Sequence, residues 1–146
     1  MSMSNAAETA LLQLLFQNAA WTGIGNAGGL LPSSVPGSLY VRLHSADPGE
    51  AGTQATSEIS YTGYAAVAVA RSAGGFTVSG DTVSIAATVQ FGECTAGTAT
   101  AVWFTVGMDP TGAGQVLYRG QLNDSRSISA GITPLFNPGA LSGTVN

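Results

Sequence analysis

Residues able to do chemistry are scarce in this chain. His44 is the only histidine, so any imidazole base or His-centred metal site has to be built around it. In the run His44-Ser45-Ala46-Asp47 a base, a hydroxyl and a carboxylate follow closely on one another. A Ser-His-Asp triad, however, is assembled in space from separate elements, and successive side chains on an extended segment point to opposite faces. Pro48-Gly49 comes next, which reads as a strand running into a turn, with the Asp47 side chain bracing that turn. No catalytic residue is assigned, and His44 is expected to pack or to support a turn.

Asp47, Glu50 and Glu58 are the nearest approach to a calcium site, but their spacing matches no Asp-x-Asp-x-Asp loop. No metal ligand and no cofactor are therefore expected. Cys94 is the single cysteine, which rules out an intrachain disulfide and suits a small buried hydrophobe. Asn123-Asp124-Ser125 has the form of a glycosylation sequon and is read as a polar turn. Trp21, Tyr61, Tyr64, Trp103 and Tyr118 could make flat platforms for sugars, although ordinary packing is the first reading of each.

The elements that must position these residues separate clearly along the chain. Asn5 with Glu8 three residues on resembles a capping box, and Ala7, Leu11, Leu14 and Leu15 recur at helical spacing. This predicts a helix of about three turns ending near Asn18. Its other side carries Leu12 and Phe16, so it should be covered by the β domain or by another subunit. Residues 23–37 hold five glycines and two prolines, the composition of a loop or arm.

From Leu39 the period changes to two. Leu39, Val41 and Leu43 alternate with Tyr40, Arg42 and His44. Further strands are expected over residues 64–70, at Val83 with Ile85, at Val89 with Phe91, over 98–106, 115–119 and 127–132, and at 141–145. Trp103 and Phe104 must face opposite ways, so one of them leaves the core. Short strands, frequent Gly/Pro/Asp turns and one leading helix predict an all-β protein, a jelly-roll-like antiparallel β-sandwich with an N-terminal helix and an extended Gly-rich arm. An immunoglobulin-like Greek key is the alternative strand order. Residues 1–37 are expected to form helix and arm, and residues 38–146 the sandwich domain.

Composition narrows the function. Of 146 residues only 8% are charged while 45% are hydrophobic, against about 25% charged in ordinary soluble domains. There is no lysine, and Arg42, Arg71, Arg119 and Arg126 are scattered. With net charge -4 and pI near 4.5 the chain lacks the clustered cations that displace counterions from nucleic acid. Depleted charge fits either a β-sandwich with Ser/Thr on its solvent faces or a surface given over to subunit contacts. The apolar run over residues 10–16 is far shorter than the roughly 20 residues of a membrane span, so neither a transmembrane segment nor a signal peptide is read.

Two motifs carry a resemblance. Leu39-Tyr40-Val41-Arg42-Leu43-His44-Ser45-Ala46-Asp47-Pro48-Gly49-Glu50, followed by Glu58-Ile59-Ser60-Tyr61-Thr62-Gly63-Tyr64, resembles the "LYVALHTADPG" and "E-x-x-Y-x-GY" patterns of small virion proteins of tailed bacteriophages. Relatives are often labelled tail fibre proteins, and the group includes capsid cement proteins similar to that of a Bordetella phage. Ala65-Ala66 stand where the family usually has an arginine. The resemblance implies a jelly-roll-like sandwich with no enzyme activity and no cofactor.

The expected function is thus a cement or decoration protein on the outer surface of a phage capsid, made in the host bacterial cytoplasm. Its partners would be the major capsid protein and itself, as homodimer or homotrimer, with no nucleic acid and no membrane. A tail fibre or baseplate module binding host glycan is the alternative. The expected partner-binding residues are Leu11, Leu12, Leu15, Phe16, Trp21, Leu30 and Leu31, all on the helix and arm.

Overall fold

The computed structural model describes residues 2–25 and 28–145. Met1, Asn26, Ala27 and Asn146, which belong to the expected arm and domain spans, lie outside the described residues. Two compact units emerge, one made of Met1–Ser38, Ala70–Ala87 and Pro138–Asn146, the other of Leu39–Val69 and Thr88–Asn137.

The first unit holds helix α1 (Asn5–Gln17) and strands β3 (Phe76–Ser79), β4 (Thr82–Ile85) and β9 (Ser142–Thr144), paired in the order β3-β4-β9. Capping differs from the expectation: Ser4 is the N-cap, its side chain accepting from the Ala7 N–H, and Asn18 ends the helix at φ 54. Ser4 takes this place because its extended backbone lets its own carbonyl accept from the Glu8 N–H. Glu8, Leu12 and Phe16 form the buried stripe, four residues apart. The Phe16 ring tilts against Phe76 at 5.3 Å. Sequence reading missed β3, because Phe76-Thr77-Val78-Ser79 lies squeezed between two Gly-containing turns.

The second unit is built on β1 (Ser38–His44), β2 (Val67–Ala70), β6 (Ala99–Gly107) and β7 (Val116–Ile128), in the order β2-β1-β6-β7. A two-residue pair, β5 (Val89–Gln90) with β8 (Leu135–Phe136), accompanies them. Val41, Leu43, Phe91, Ala101, Phe104 and Val106 are buried at its centre. Phe104 is buried and Trp103 half-exposed, as their alternation requires.

Strand β7 corrects two expectations at once. Residues 115–119 and 127–132 were expected as separate strands with a polar turn at Asn123-Asp124-Ser125, but a single strand runs from Val116 to Ile128. Its register against β6 shifts between Ala101↔Arg126 and Trp103↔Gln121, so residues 122–125 bulge opposite Val102 alone. The polar triplet is tolerated because it stands exposed in that bulge on an edge strand. Residues 64–66 likewise precede β2 without joining it. With antiparallel sheets and one N-terminal helix, the chain is the all-β protein expected, consistent with a β-sandwich.

Candidate partner-binding surface

The strongest candidate surface is the segment that follows α1. The left-handed turn at Asn18 sends the chain away from the helix axis, and the Asn18 side chain then clasps Ser33. Its Nδ2 donates to the Ser33 carbonyl at 2.9 Å and its Oδ1 accepts from the Ser33 N–H at 2.9 Å. Between them Trp21 and Leu30 exchange two backbone hydrogen bonds, at 2.9 and 3.0 Å. Gly29 (φ +63) permits this closure, since a Cβ there would collide with the Trp21 carbonyl.

Arg71 completes the construction. Its Nε and Nη2 donate to the carbonyls of Leu15 and Leu14 at 2.8 and 2.9 Å, and its Nη1 donates to Ser33 Oγ at 3.2 Å and the Pro36 carbonyl at 3.1 Å. The last carbonyls of a helix have no intrahelical partner and carry partial negative charge, so a guanidinium placed there satisfies both needs. α1 has no basic residue in its own last turn. That want of a cation was the available signal in the sequence, but nothing in it pointed to Arg71.

The end of α1 and this pinned arm carry apolar side chains outward. Leu15, Ile24, Leu30, Leu31 and Val35 are 36%, 39%, 45%, 71% and 76% exposed, and they make five of the eight exposed large hydrophobics among the described residues. Leu11 and Trp21 are half-buried. Leu12 and Phe16, expected at a partner, instead face the core at 5% and 2% exposure. The correction follows from helical geometry, since residues four apart share the face that meets β3 and β4. Ile24 and Val35 were not singled out from the sequence, having no periodic context in a Gly/Pro-rich stretch.

Arg42, Glu58, Tyr64 and Gln54 form a polar brace in the second unit. The Arg42 side chain is fully buried; its Nη1 donates to Glu58 Oε2 at 3.2 Å and the Gly112 carbonyl at 2.8 Å, and its Nη2 to the Asp109 carbonyl at 2.6 Å. The Tyr64 hydroxyl donates to Glu58 Oε1 and accepts from the Leu43 N–H, each at 3.0 Å. Burial holds that phenol far above its ordinary range, so it is a neutral donor. Gln54 joins in, donating to the Tyr40 carbonyl and accepting from the Asp109 N–H, both at 3.1 Å.

His44 is equally enclosed. Its Nδ1 lies 2.8 Å from the Thr56 carbonyl, which can only accept, so Nδ1 carries the proton and Nε2 accepts from Thr105 Oγ1 at 2.9 Å. Burial lowers the imidazole pKa. His44 and Thr105 are both fully buried, so no substrate reaches this pair. A cleft of about 520 Å³ lies over the brace, lined in part by Glu58, Ser60, Tyr64, Pro110, Thr111 and Gly112. Both Glu58 oxygens are already engaged, which makes the carboxylate a strut between loops.

Asp47 does brace its turn, accepting from the Gly49 N–H at 2.9 Å. It also accepts from Arg119 Nη1 at 2.9 and 3.0 Å, while the Arg119 guanidinium sits 5.6 Å over the Trp103 ring. Asp47 and Glu58 thus serve different partners, and among the described residues no group of three His, Cys, Asp or Glu is placed to hold a metal. Cys94 is buried, its thiol directed at the carbonyls of Ala96 and Gly97. Among the described residues no helix is long and apolar enough to cross a membrane.

The sequence model of the podophage GP4 fiber I protein gp80 family matches residues 2–144. No curated protein matches the chain. A match over nearly the whole length agrees with the resemblance carried by the strand-and-turn motif from Leu39 to Glu50. The family suggests a non-enzymatic role. The chain belongs to the podophage GP4 fiber I protein gp80 family, a family of phage structural proteins.

Proposed function

We propose that this phage structural protein is a capsid cement or decoration protein, bound to the outer surface of the shell at junctions between major capsid subunits. The observation that carries the reading is the arm over residues 18–25 and 28–37, pinned by Asn18 and Arg71 and presenting Leu30, Leu31 and Val35 to solvent. An apolar patch held in one conformation loses little entropy on docking, and clustered exposed apolar side chains mark protein contact surfaces. The low charge of the whole chain suits a surface covered by other subunits. On a shell that repeats, modest contacts add through avidity. The partners are the major capsid protein and further copies of this chain, with neither nucleic acid nor membrane involved.

The word fiber in the family's description is compatible with a second reading, a fibre or baseplate module that recognises host glycan. The two differ in copy number, many per head for a cement and few per tail for a fibre. Band intensities of purified virions, scaled to the major capsid protein, test this directly. Copy numbers comparable to capsid symmetry positions support cement, and a handful per particle overturns it in favour of the fibre.

A further inference from the structure

Sheet edges expose unpaired N–H and C=O groups, and proteins guard them with helices, bulges, charges or extreme shortness. Most edges of this chain are guarded. β3 is covered by α1, with Gln17 Nε2 donating to the Phe76 carbonyl at 2.8 Å and Thr9 Oγ1 to the Gly80 carbonyl at 2.8 Å. β7 has the bulge over residues 122–125 and carries Arg119, Asp124 and Arg126. β9, β5 and β8 are three, two and two residues long.

β2 is the exception. It forms the outer edge of the four-stranded sheet beside β1, and the run Ala65-Ala66-Val67-Ala68-Val69-Ala70 contains no charge, proline or glycine. Among the described residues, no backbone partner beyond the sheet is seen for Val67, Ala68 or Val69. Ala65 and Ala66 line the open cleft of about 520 Å³, so solvent space lies alongside the start of the strand.

We propose that β2 is a self-pairing edge, through which two copies of this chain join their four-stranded sheets about a two-fold axis at Ala68. The sequence is self-complementary in that arrangement. Antiparallel pairing centred on Ala68 sets Val67 of each copy across Val69 of the other, and sets Ala68 across Ala68 on the exposed face. Val69 is buried and Ala68 exposed, so the valines extend the apolar face while the small alanines allow close approach. A two-fold contact of this kind closes on itself and gives a dimer, not a filament. A charged foreign strand would find no counter-charge here, which favours a second copy as the occupant.

The proposal is tested on the purified full chain without any shell, so its outcome is independent of the attachment site. Sedimentation of the unaltered protein at rising concentration should show a monomer-dimer equilibrium. Ala68→Lys and Ala68→Glu place like charges across the axis and should each weaken dimerisation about fivefold or more, whereas their mixture should recover it as a heterodimer. Circular dichroism checks that each variant folds. Ala68→Cys should form an intermolecular disulfide on oxidation, and Ser125→Cys in the bulged edge should not. A chain that stays monomeric at every concentration, or a dimer indifferent to both charges, overturns the proposal.

Discussion

The Arg71 guanidinium lies 56 residues along the chain from the Leu15 carbonyl it holds at 2.8 Å, and the same side chain reaches Ser33 and Pro36. One cation thereby closes the end of α1 and fixes the far end of the arm. Without it the carbonyls of Leu14 and Leu15 would turn to water, and the arm would lose its side-chain ties at Ser33 and Pro36 while keeping the Asn18 clasp, the Trp21-Leu30 pair and the Arg71 N–H bond to the Gly37 carbonyl at 3.1 Å.

Arg71→Ala should therefore cost about 1.5–3 kcal/mol of stability, the range for hydrogen bonds to a charged group. The larger effect should be local. Amide exchange of residues 28–37 should quicken well beyond the global change, and Arg71→Lys should recover only part of it, because an ammonium cannot span four acceptors in a planar fork. Uniform loss of protection across both units would contradict a local clamp.

How much of this was legible in the sequence depends on the range of the interactions. The leading helix, β1, β4 and β6 were readable because period 3.6 or 2 is a local property of apolar residues such as Leu39, Val41 and Leu43. The end of α1 was readable for a similar reason, Asn being tolerant of left-handed backbone. β3 and the continuity of β7 were not, since Asn123-Asp124-Ser125 has turn composition and only pairing with β6 keeps it in a strand. The excess of apolar residues on helix and arm was legible in the sequence. Its division into buried Leu12 and Phe16 and exposed Leu31 and Val35 depended on the position of β3 and on Arg71, both non-local.

The buried Arg42 brace yields a sharper stability prediction. Arg42→Ala would strand the Glu58 carboxylate together with the carbonyls of Asp109 and Gly112. Breaking one side of a buried pair costs about 3–5 kcal/mol; with the Glu58 side chain 22% exposed the loss should fall at the lower end, about 3 kcal/mol, which lowers the melting temperature by roughly 10 °C. Arg42→Met with Glu58→Gln, which removes both charges, should retain more stability than Arg42→Ala alone. Thermal melts of the three proteins decide this, and a milder loss for the single variant would show that Glu58 is not held by Arg42.

His44 gives the protein an acid-sensitive element. Its pKa is lowered from 6.5 by burial, so below that value the unfolded chain takes up a proton that the folded chain resists. The stabilisation is complete above pH 6.5 and is lost as pH falls through the window beneath it. His44→Gln should lower stability at neutral pH by about 1 kcal/mol yet flatten the decline between pH 6.5 and the lower folded value. Denaturant midpoints at several pH values measure both effects, and parallel curves for the two proteins would assign the acid sensitivity elsewhere.

Leu31 and Val35 allow the proposed attachment to be tested apart from folding. At 71% and 76% exposure they contribute little to either unit's core, so Leu31→Asp and Val35→Asp should change the melting temperature hardly at all. On a shell the same changes would bury an unpaired carboxylate, which costs several kcal/mol and should abolish decoration. A ligand that binds only the intact shell stabilises it by mass action. Capsids saturated with the unaltered protein should then release DNA at a higher temperature than undecorated ones, and capsids incubated with Leu31→Asp should behave as undecorated. Equal release temperatures at full occupancy would mean that binding adds nothing to the shell, and would shift the assignment to the fibre reading.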